Sequence, residues 1–405
     1  MTELELFSAA LEISTPWEIK EIIFKEDTDG RKSLHIQIGH EKGIKFEYDG
    51  SFCKVHDHVS RVWRHLNFFQ YTCYLYAEVP RVRTKKGEVK TVEVPWAEKG
   101  SSFTLMFEQQ VLDMFSAGMS GTKCGHLLSI DSRVAFRICR RYVMHALAEE
   151  PVDNVKQVGL DETSYKKGHH YLTLLTDREE KKVIGIGFGK DSKALEECVL
   201  EMEIRGGSRE SIKSVTMDMS KSYIKGVVAY LPNADIIFDR FHLSYNLNKA
   251  IDKIRKREQK DFSDLAGTKY IWLNNNQNLT EEKRIRLAEL SAKYQDIGQA
   301  YRLKEQFREV FDNAKTDSRL KWLNSWMKEA FSTGIKELQS FVSMLKEHWY
   351  GIKTYFKYLA TNALSERINL KIQEIKRTAK GYRNLENYKV MIYFHLGKLK
   401  LSNPL

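Results

Sequence analysis

The stretch from Val155 to Asp177, VKQVGLDETSYKKGHHYLTLLTD, reads as a buried strand over about 155–160 that runs into Asp161 and Glu162. A second strand follows at once. A carboxylate at a strand end, where the backbone is fixed and the tip reaches solvent, can hold a metal ion or act as a general base. It can equally cap a turn, as Asp often does. The choice depends on whether carboxylates later in the chain meet it.

Working downstream, strands at about 155–160, 169–176 and 181–188 are joined by turns too short for crossovers, so they predict an antiparallel meander. A helix at about 192–205 leads to SIKSVTMDMSKSY, a strand ending at Asp218. A helix to Tyr230 and a last strand, ADIIFD, ending at Asp239, complete the order βββαβαβ. That order resembles the ribonuclease H-like fold, a mixed sheet whose first and fourth strands lie side by side. Asp161 and Asp218 would then share one end of neighbouring strands. The glycines of GIGFGKD, at 185, 187 and 189, sit within the meander and lack the helix start of a dinucleotide loop.

From Arg240 to about Tyr358 the pattern is helical and charged, broken at LNNNQNLTEEK, where Thr280, Glu281 and Glu282 start a new helix. TNALSERINLKIQEIKRTAKGYRN then predicts one more helix. Leu364, Ile368, Ile372 and Ile375 form its buried stripe, and Glu366, Asn369, Gln373 and Arg377 lie on another face.

Upstream, Trp17 to about Asp49 alternates as strands do, with Leu34, Ile36 and Ile38 on one face and a turn at Asp29-Gly30. The alternation continues through FFQYTCYLYAEVPRVRTKKGEVKTVEVPW, with a turn at Lys85-Lys86-Gly87. The period then changes to about 3.6. Phe103, Phe107, Val111 and Phe115 share a face, a short helix covers 121–128, and Asp131 caps a third helix through about Leu147. This is the layout of a helix-turn-helix, with Arg133, Arg137, Arg140 and Arg141 on the recognition helix. A plain three-helix connector would show the same pattern.

At 405 residues the chain calls for two or three domains. With 42% hydrophobic and 29% charged residues, no run approaches a membrane span of roughly 18 apolar residues. The acidic N-terminus has no cleavable apolar core, and five scattered cysteines, at 53, 73, 124, 139 and 198, suit free thiols in a reducing compartment. Both point to the cytoplasm. A net charge of +11 makes a polyanion the natural partner, nucleic acid above all.

Chemistry on a phosphodiester uses two divalent cations about 4 Å apart, and such cations want carboxylate oxygens. Two Asp on adjacent strands and an acid on a helix packed against them could supply that cage. GLDETSYKKGHHYLTLLTD, VTMDMSKSYIKGV, PNADIIFDRFHL and LSERINLKIQEIKRTAKGYRN, in that order, resemble the motifs of bacterial DDE transposases of the ISL-three insertion-sequence family. The resemblance covers nearly the whole chain.

It implies an α/β multi-domain protein: a ribbon-like β-rich unit at 1–100, a helix-turn-helix at 101–150, a ribonuclease H-like catalytic domain at 151–240 and 359–405, and an α-helical insertion at 241–358. The implied catalytic and metal-binding residues are Asp161, Asp218 and Glu366, holding two Mg²⁺ (or Mn²⁺) ions. The stretch TNALSE keeps the family's Asn as Asn362 but otherwise departs from it. Glu374 is the rival acid on that helix, and Glu162 a neighbour of the site. Asp239 and His242 of DRFHL would support it. Lys253, Arg255, Lys256, Arg257, Lys376 and Arg377 would join the four arginines of the third helix as DNA contacts.

The implied partner is double-stranded DNA, the inverted repeats and the target, bound by a homodimer or higher oligomer, with no membrane involved. The family carries a zinc ribbon with two Cys-x-x-Cys pairs, yet Phe46, Asp49, Thr84 and Gly87 stand at those positions, so zinc is not expected. The ribbon would rest on its core, with Trp63 and Phe68 packing it. Cys53, His56, His58, His65 and Cys73 could in principle build another site. A regulator that has lost its chemistry and a structure-specific nuclease of the same fold are the alternative readings.

Overall fold

A computed structural model describes residues 2–401 except 27, 29, 167, 169, 313–315 and 360–362. Asp29, Asn362 and the start of the TNALSE stretch therefore lie outside the described residues. The chain divides into two compact units, one of residues 1–144 with 401–405 and one of residues 145–400.

In the first unit α1 (Glu3–Ala10) precedes a sheet of β1 (Trp17–Glu26), β2 (Lys32–His40), β3 (Lys45–Tyr48), β4 (Ser51–Arg64), β5 (Thr72–Arg83) and β6 (Val89–Thr91). The strand order is β1-β2-β5-β4-β3, with β6 paired to β5. Alternation does its expected work, since Leu34, Ile36 and Ile38 are buried with Trp17, Phe46, Trp63 and Trp96. Phe68 differs from expectation: it is partly exposed at a rim cluster with Phe7, Phe24 and Phe69.

Three helices follow: α2 (Leu105–Ser116), α3 (Gly121–Leu128) and α4 (Ser132–Glu149), whose last residues belong to the second unit. Each has its cap. Thr104 accepts from the Phe107 amide, Ser120 from Lys123, and Asp131 from Arg133 at 2.8 Å.

The second unit holds a five-stranded sheet of β7 (Gln157–Lys166), β8 (His170–Asp177), β9 (Lys182–Phe188), β10 (Ser214–Met217) and β11 (Asp235–Phe238), ordered β11-β10-β7-β8-β9. β7, β8 and β9 form the antiparallel meander, and β10 pairs in parallel with both β7 and β11. The first and fourth strands are thus neighbours, as the element order implies. α5 (Ser192–Ile204) and α6 (Lys221–Tyr230) supply the crossovers and close one apolar core with the sheet.

A single helical core gathers α7 (Arg240–Glu258), α8 (Lys269–Leu273), α9 (Glu281–Lys293), α10 (Gln295–Asp312), α11 (Thr316–Ser332), α12 (Lys336–Glu347) and α13 (Trp349–Tyr358). α13 returns to the sheet, where a Cβ on Gly351 would fall 2.4 Å from the Phe238 ring. α14 (Ala363–Thr378) and α15 (Leu385–Leu396) end the unit.

Candidate active site

Asp161 is not at a strand end. β7 runs on to Lys166, and on the β8 side Asp161 pairs with Leu174, Glu162 with Thr173 and Thr163 with Leu172. On the β10 side the ladder stops at Gly159 opposite Thr216. The carboxylate therefore stands where one neighbour has ended and the other continues, which period-two alternation cannot reveal.

Register now aligns the acids. β10 pairs Ser214 with Gln157 and Thr216 with Gly159, so continuing by two residues brings Asp218 level with Asp161. β10 also pairs Met217 with Phe238, and one step further Asp218 meets Asp239, whose amide donates to Met217 O at 3.1 Å. Asp161, inside β7, stands in a row with Asp218 and Asp239, which lie just past the C-terminal ends of β10 and β11, the end of a parallel sheet where ligands are taken.

Each carboxylate is held locally. Asp161 Oδ1 accepts from the Glu162 amide at 2.8 Å, Asp218 Oδ1 from Ser220 at 2.9 Å, and Asp239 Oδ1 from Phe241 at 3.2 Å as the cap of α7. Burial pushes Asp161 up to about 6, with the charges of Asp218 and Asp239 adding to it and His242 opposing. Glu162 rises to about 7, through burial first and then Asp218 and Asp161, against Lys190. Asp239 is buried, and its charge acts on Arg178. Burial raises the pKa of Tyr223, whose hydroxyl lies 2.9 Å from Thr173 Oγ1, and the charges of Glu162 and Asp218 add to the rise.

α14 lies along β7 because four helical residues advance about 6 Å and two strand residues about 6.6 Å. Ser365 faces Gly159, whose Cβ would sit 3.4 Å from Ser365 Oγ. Asn369 Nδ2 donates to Asp161 Oδ2 at 2.9 Å, Gln373 Nε2 to Thr163 Oγ1 at 2.9 Å, and Lys376 Nζ to Ser164 O at 2.9 Å. Of the expected apolar stripe, Ile368, Ile372 and Ile375 are buried, and Leu364 is only partly so. Glu366 is exposed one turn before Asn369, and Glu374 is exposed and paired with Lys371 at 3.0 Å.

A divalent cation fits these donors in kind: they are hard oxygens, crowded and partly desolvated. It also fits the Asp161–Asp218 pair in number, since Mg²⁺ commonly takes one or two carboxylates and completes its shell with water and substrate phosphates. Among the described residues, however, no three acidic, histidine or cysteine side chains are gathered closely enough to cage an ion.

The basic residues divide. Arg137, Lys253 and Arg377 are exposed, and Arg140 is half-buried. Arg133 pairs with Asp131 at 2.7 Å on the surface, and Lys256 with Asp252 at 3.1 Å. Arg257 binds Asp296 at 2.9 Å and Glu337 at 3.1 Å. Arg255 differs from its expected role, and two further residues are engaged within the protein. Arg255 is buried among Asp252, Gln259 and the Leu265 carbonyl, Arg141 is tied to the fully buried Glu108, and Lys376 is turned onto β7. Each charge meets an acceptor within the protein, although Arg141 keeps 42% of its side chain exposed.

In the first unit the β3–β4 and β5–β6 hairpins line an open cavity of about 790 Å³ with Glu47, Asp49, Thr84, Lys85, Lys86 and Lys90. No cysteine or histidine is among its described lining residues. Cys53 and Cys73 are buried in the sheet core, where burial pushes the Cys73 thiol up to about 12. His40 and His58 share a 3.0 Å hydrogen bond on the surface.

Comparison with known proteins agrees over both units. A model described as zinc-finger of transposase IS204/IS1001/IS1096/IS1165 matches residues 48–85. The expectation that zinc is absent is therefore not supported, although the cavity residues do not form a thiolate site. The chain is 24% identical to the transposase for insertion sequence element IS1001 of Bordetella parapertussis, over 95% of each chain. It is 25% identical to the transposase for element IS1557 of Mycobacterium tuberculosis, over 95% of this chain and 93% of the relative. No described helix is long and apolar enough to cross a membrane. A family model described as transposase, of the ISL3 type, matches residues 158–392, so the chain belongs to the ISL3 family of DDE transposases.

Proposed function

We propose that the protein binds the terminal inverted repeats of an insertion sequence and catalyses cleavage and transfer of DNA strands. The observation that carries this is the row of crowded carboxylates, Asp161 and Asp218 foremost, in a chain of transposase lineage. We read the five-stranded sheet as ribonuclease H-like and α2–α4 as a helix-turn-helix whose exposed Arg137 faces DNA. The protein works in the cytoplasm as a homodimer or higher oligomer on DNA.

Asp161 and Asp218 would hold the metal, with Glu366, exposed on α14, as the proposed third ligand. Two Mg²⁺ or Mn²⁺ ions would supply charge to activate the attacking oxygen and stabilise the leaving one. Asn369 fixes the Asp161 carboxylate in its orientation. Asp239 anchors the start of α7, and His242 offsets the negative charge around Asp161. The exposure of Glu366 favours a second reading, a DNA-binding regulator without chemistry.

Supercoiled plasmid bearing the ends of the encoding element separates the two. The wild-type chain with Mg²⁺ is expected to nick it, while Asp218→Asn binds the same ends and does not. Repeat binding without nicking in the wild type would establish the regulator, and neither binding nor nicking would overturn both readings.

A further inference from the structure

α7 has two faces. Leu243, Leu247, Ile251 and Ile254 enter the helical core, as their spacing dictates. The opposite ridge, at steps of four, is Phe241, Tyr245, Lys249 and Lys253, all exposed. Scattered exposed apolar residues are ordinary. Two aromatic rings on successive turns, followed by two lysines on the next, make a pattern that the core does not require.

The rings are 56% and 49% exposed and nearly parallel, 11° apart, with centroids separated by 6.5 Å. Nearly parallel exposed rings on successive turns offer flat apolar surface on which a planar base can stack. Lys249 Nζ stands 4.5 Å from the Tyr245 centroid. The ridge starts at the acidic row, because the Phe241 amide donates to Asp239 at 3.2 Å and His242 acts on Asp161. From Phe241 to Lys253 the helix rises about 18 Å, room for a short strand leaving the site. Flat apolar faces beside the acids and cations beyond them suit unpaired bases followed by their phosphates.

We propose that Phe241 and Tyr245 are a stacking platform for unpaired bases of a DNA strand at the site, with Lys249 and Lys253 meeting its phosphates. This rests on the reading that the site acts on DNA.

The test uses the full chain, a fluorescein-labelled oligothymidylate of roughly 20 nucleotides, and a mixed-sequence duplex of similar length, read by anisotropy beside the plasmid-nicking assay. Phe241→Ala and Tyr245→Ala are each expected to weaken oligothymidylate binding at least about fivefold, with duplex binding held. Phe241→Tyr and Tyr245→Phe, which keep a flat ring, restore it. Both rings are exposed, so thermal midpoints are expected to stay with the wild type.

If the wild type nicks DNA and the alanine variants bind oligothymidylate unchanged, the platform is overturned and the functional reading stands. Equal losses on duplex and single strand overturn stacking in favour of a general effect on the surface. A wild type that neither binds nor nicks DNA removes the functional reading and the platform together.

Discussion

Asn369 donates its side-chain amide to the Asp161 carboxylate at 2.9 Å, joining two residues 208 positions apart in the chain. The bond fixes one oxygen of a crowded acid, and the Glu162 amide fixes the other. Partners of this kind typically alter ligand affinity or activity by about 10- to 100-fold when removed. Asn369→Ala is expected to lower the initial nicking rate within that range while DNA binding persists. A rate equal to wild type would show that Asp161 is oriented without it.

The raised carboxylates set a pH dependence in the metal-free protein. Asp161 moves from 3.8 to about 6 and Glu162 from 4.5 to about 7, so the native state keeps protons that the unfolded chain has released. Stability therefore falls as pH rises through that interval and levels off above it. Glu162→Gln removes one such group. Its thermal midpoint is expected to exceed the wild-type value near about pH 8 and to converge with it below about pH 5. A constant difference across the range would show that Glu162 is not the responsible group.

Gly187 tests how closely α5 packs on β9. A Cβ there would lie 2.0 Å from the Ala194 carbonyl oxygen, and one on Gly185 2.4 Å from that of Cys198. Both obstacles are backbone, so the helix itself has to move. Gly187→Ala is expected to cost at least about 1–3 kcal/mol, seen as a lower urea midpoint. An unchanged midpoint would mean that α5 yields freely.

This packing also marks what the sequence could and could not convey. The two periodicities located the meander, the helical insertion and the buried stripe of α14, and the element order anticipated β7 beside β10. Side-chain alternation carries no information on where a neighbouring strand stops, so Asp161 read as a strand end although it lies within β7. Asn369 was visible on the polar face of α14, but its partner depends on how the helix advances against the strand. Arg255 and Lys253 are indistinguishable as letters on a charged helix. Only packing turns one inward. Gly185 and Gly187 read as strand residues, and their function, making room for α5, appears only in three dimensions.

Arg141 and Arg137 lie one helical turn apart on α4 and are expected to fail in different ways. Glu108 is fully buried and accepts from Ser101 and Tyr142, each at 2.7 Å, as well as from Arg141. Arg141→Ala would leave that carboxylate without its cation, and an uncompensated buried charge typically costs about 3 kcal/mol or more. Because Arg141 is 42% exposed and the two neutral donors remain, a smaller loss of about 1–2 kcal/mol is expected. Arg137 is exposed. Arg137→Ala is expected to leave the thermal midpoint in place, weaken binding to the element's ends, and reduce the salt slope by about one. Chemical denaturation and salt-titrated anisotropy on both variants check this. If Arg137→Ala binds as the wild type does, α4 is not the face that meets DNA. If Arg141→Ala unfolds no more easily, the Glu108 network is held by its neutral donors alone.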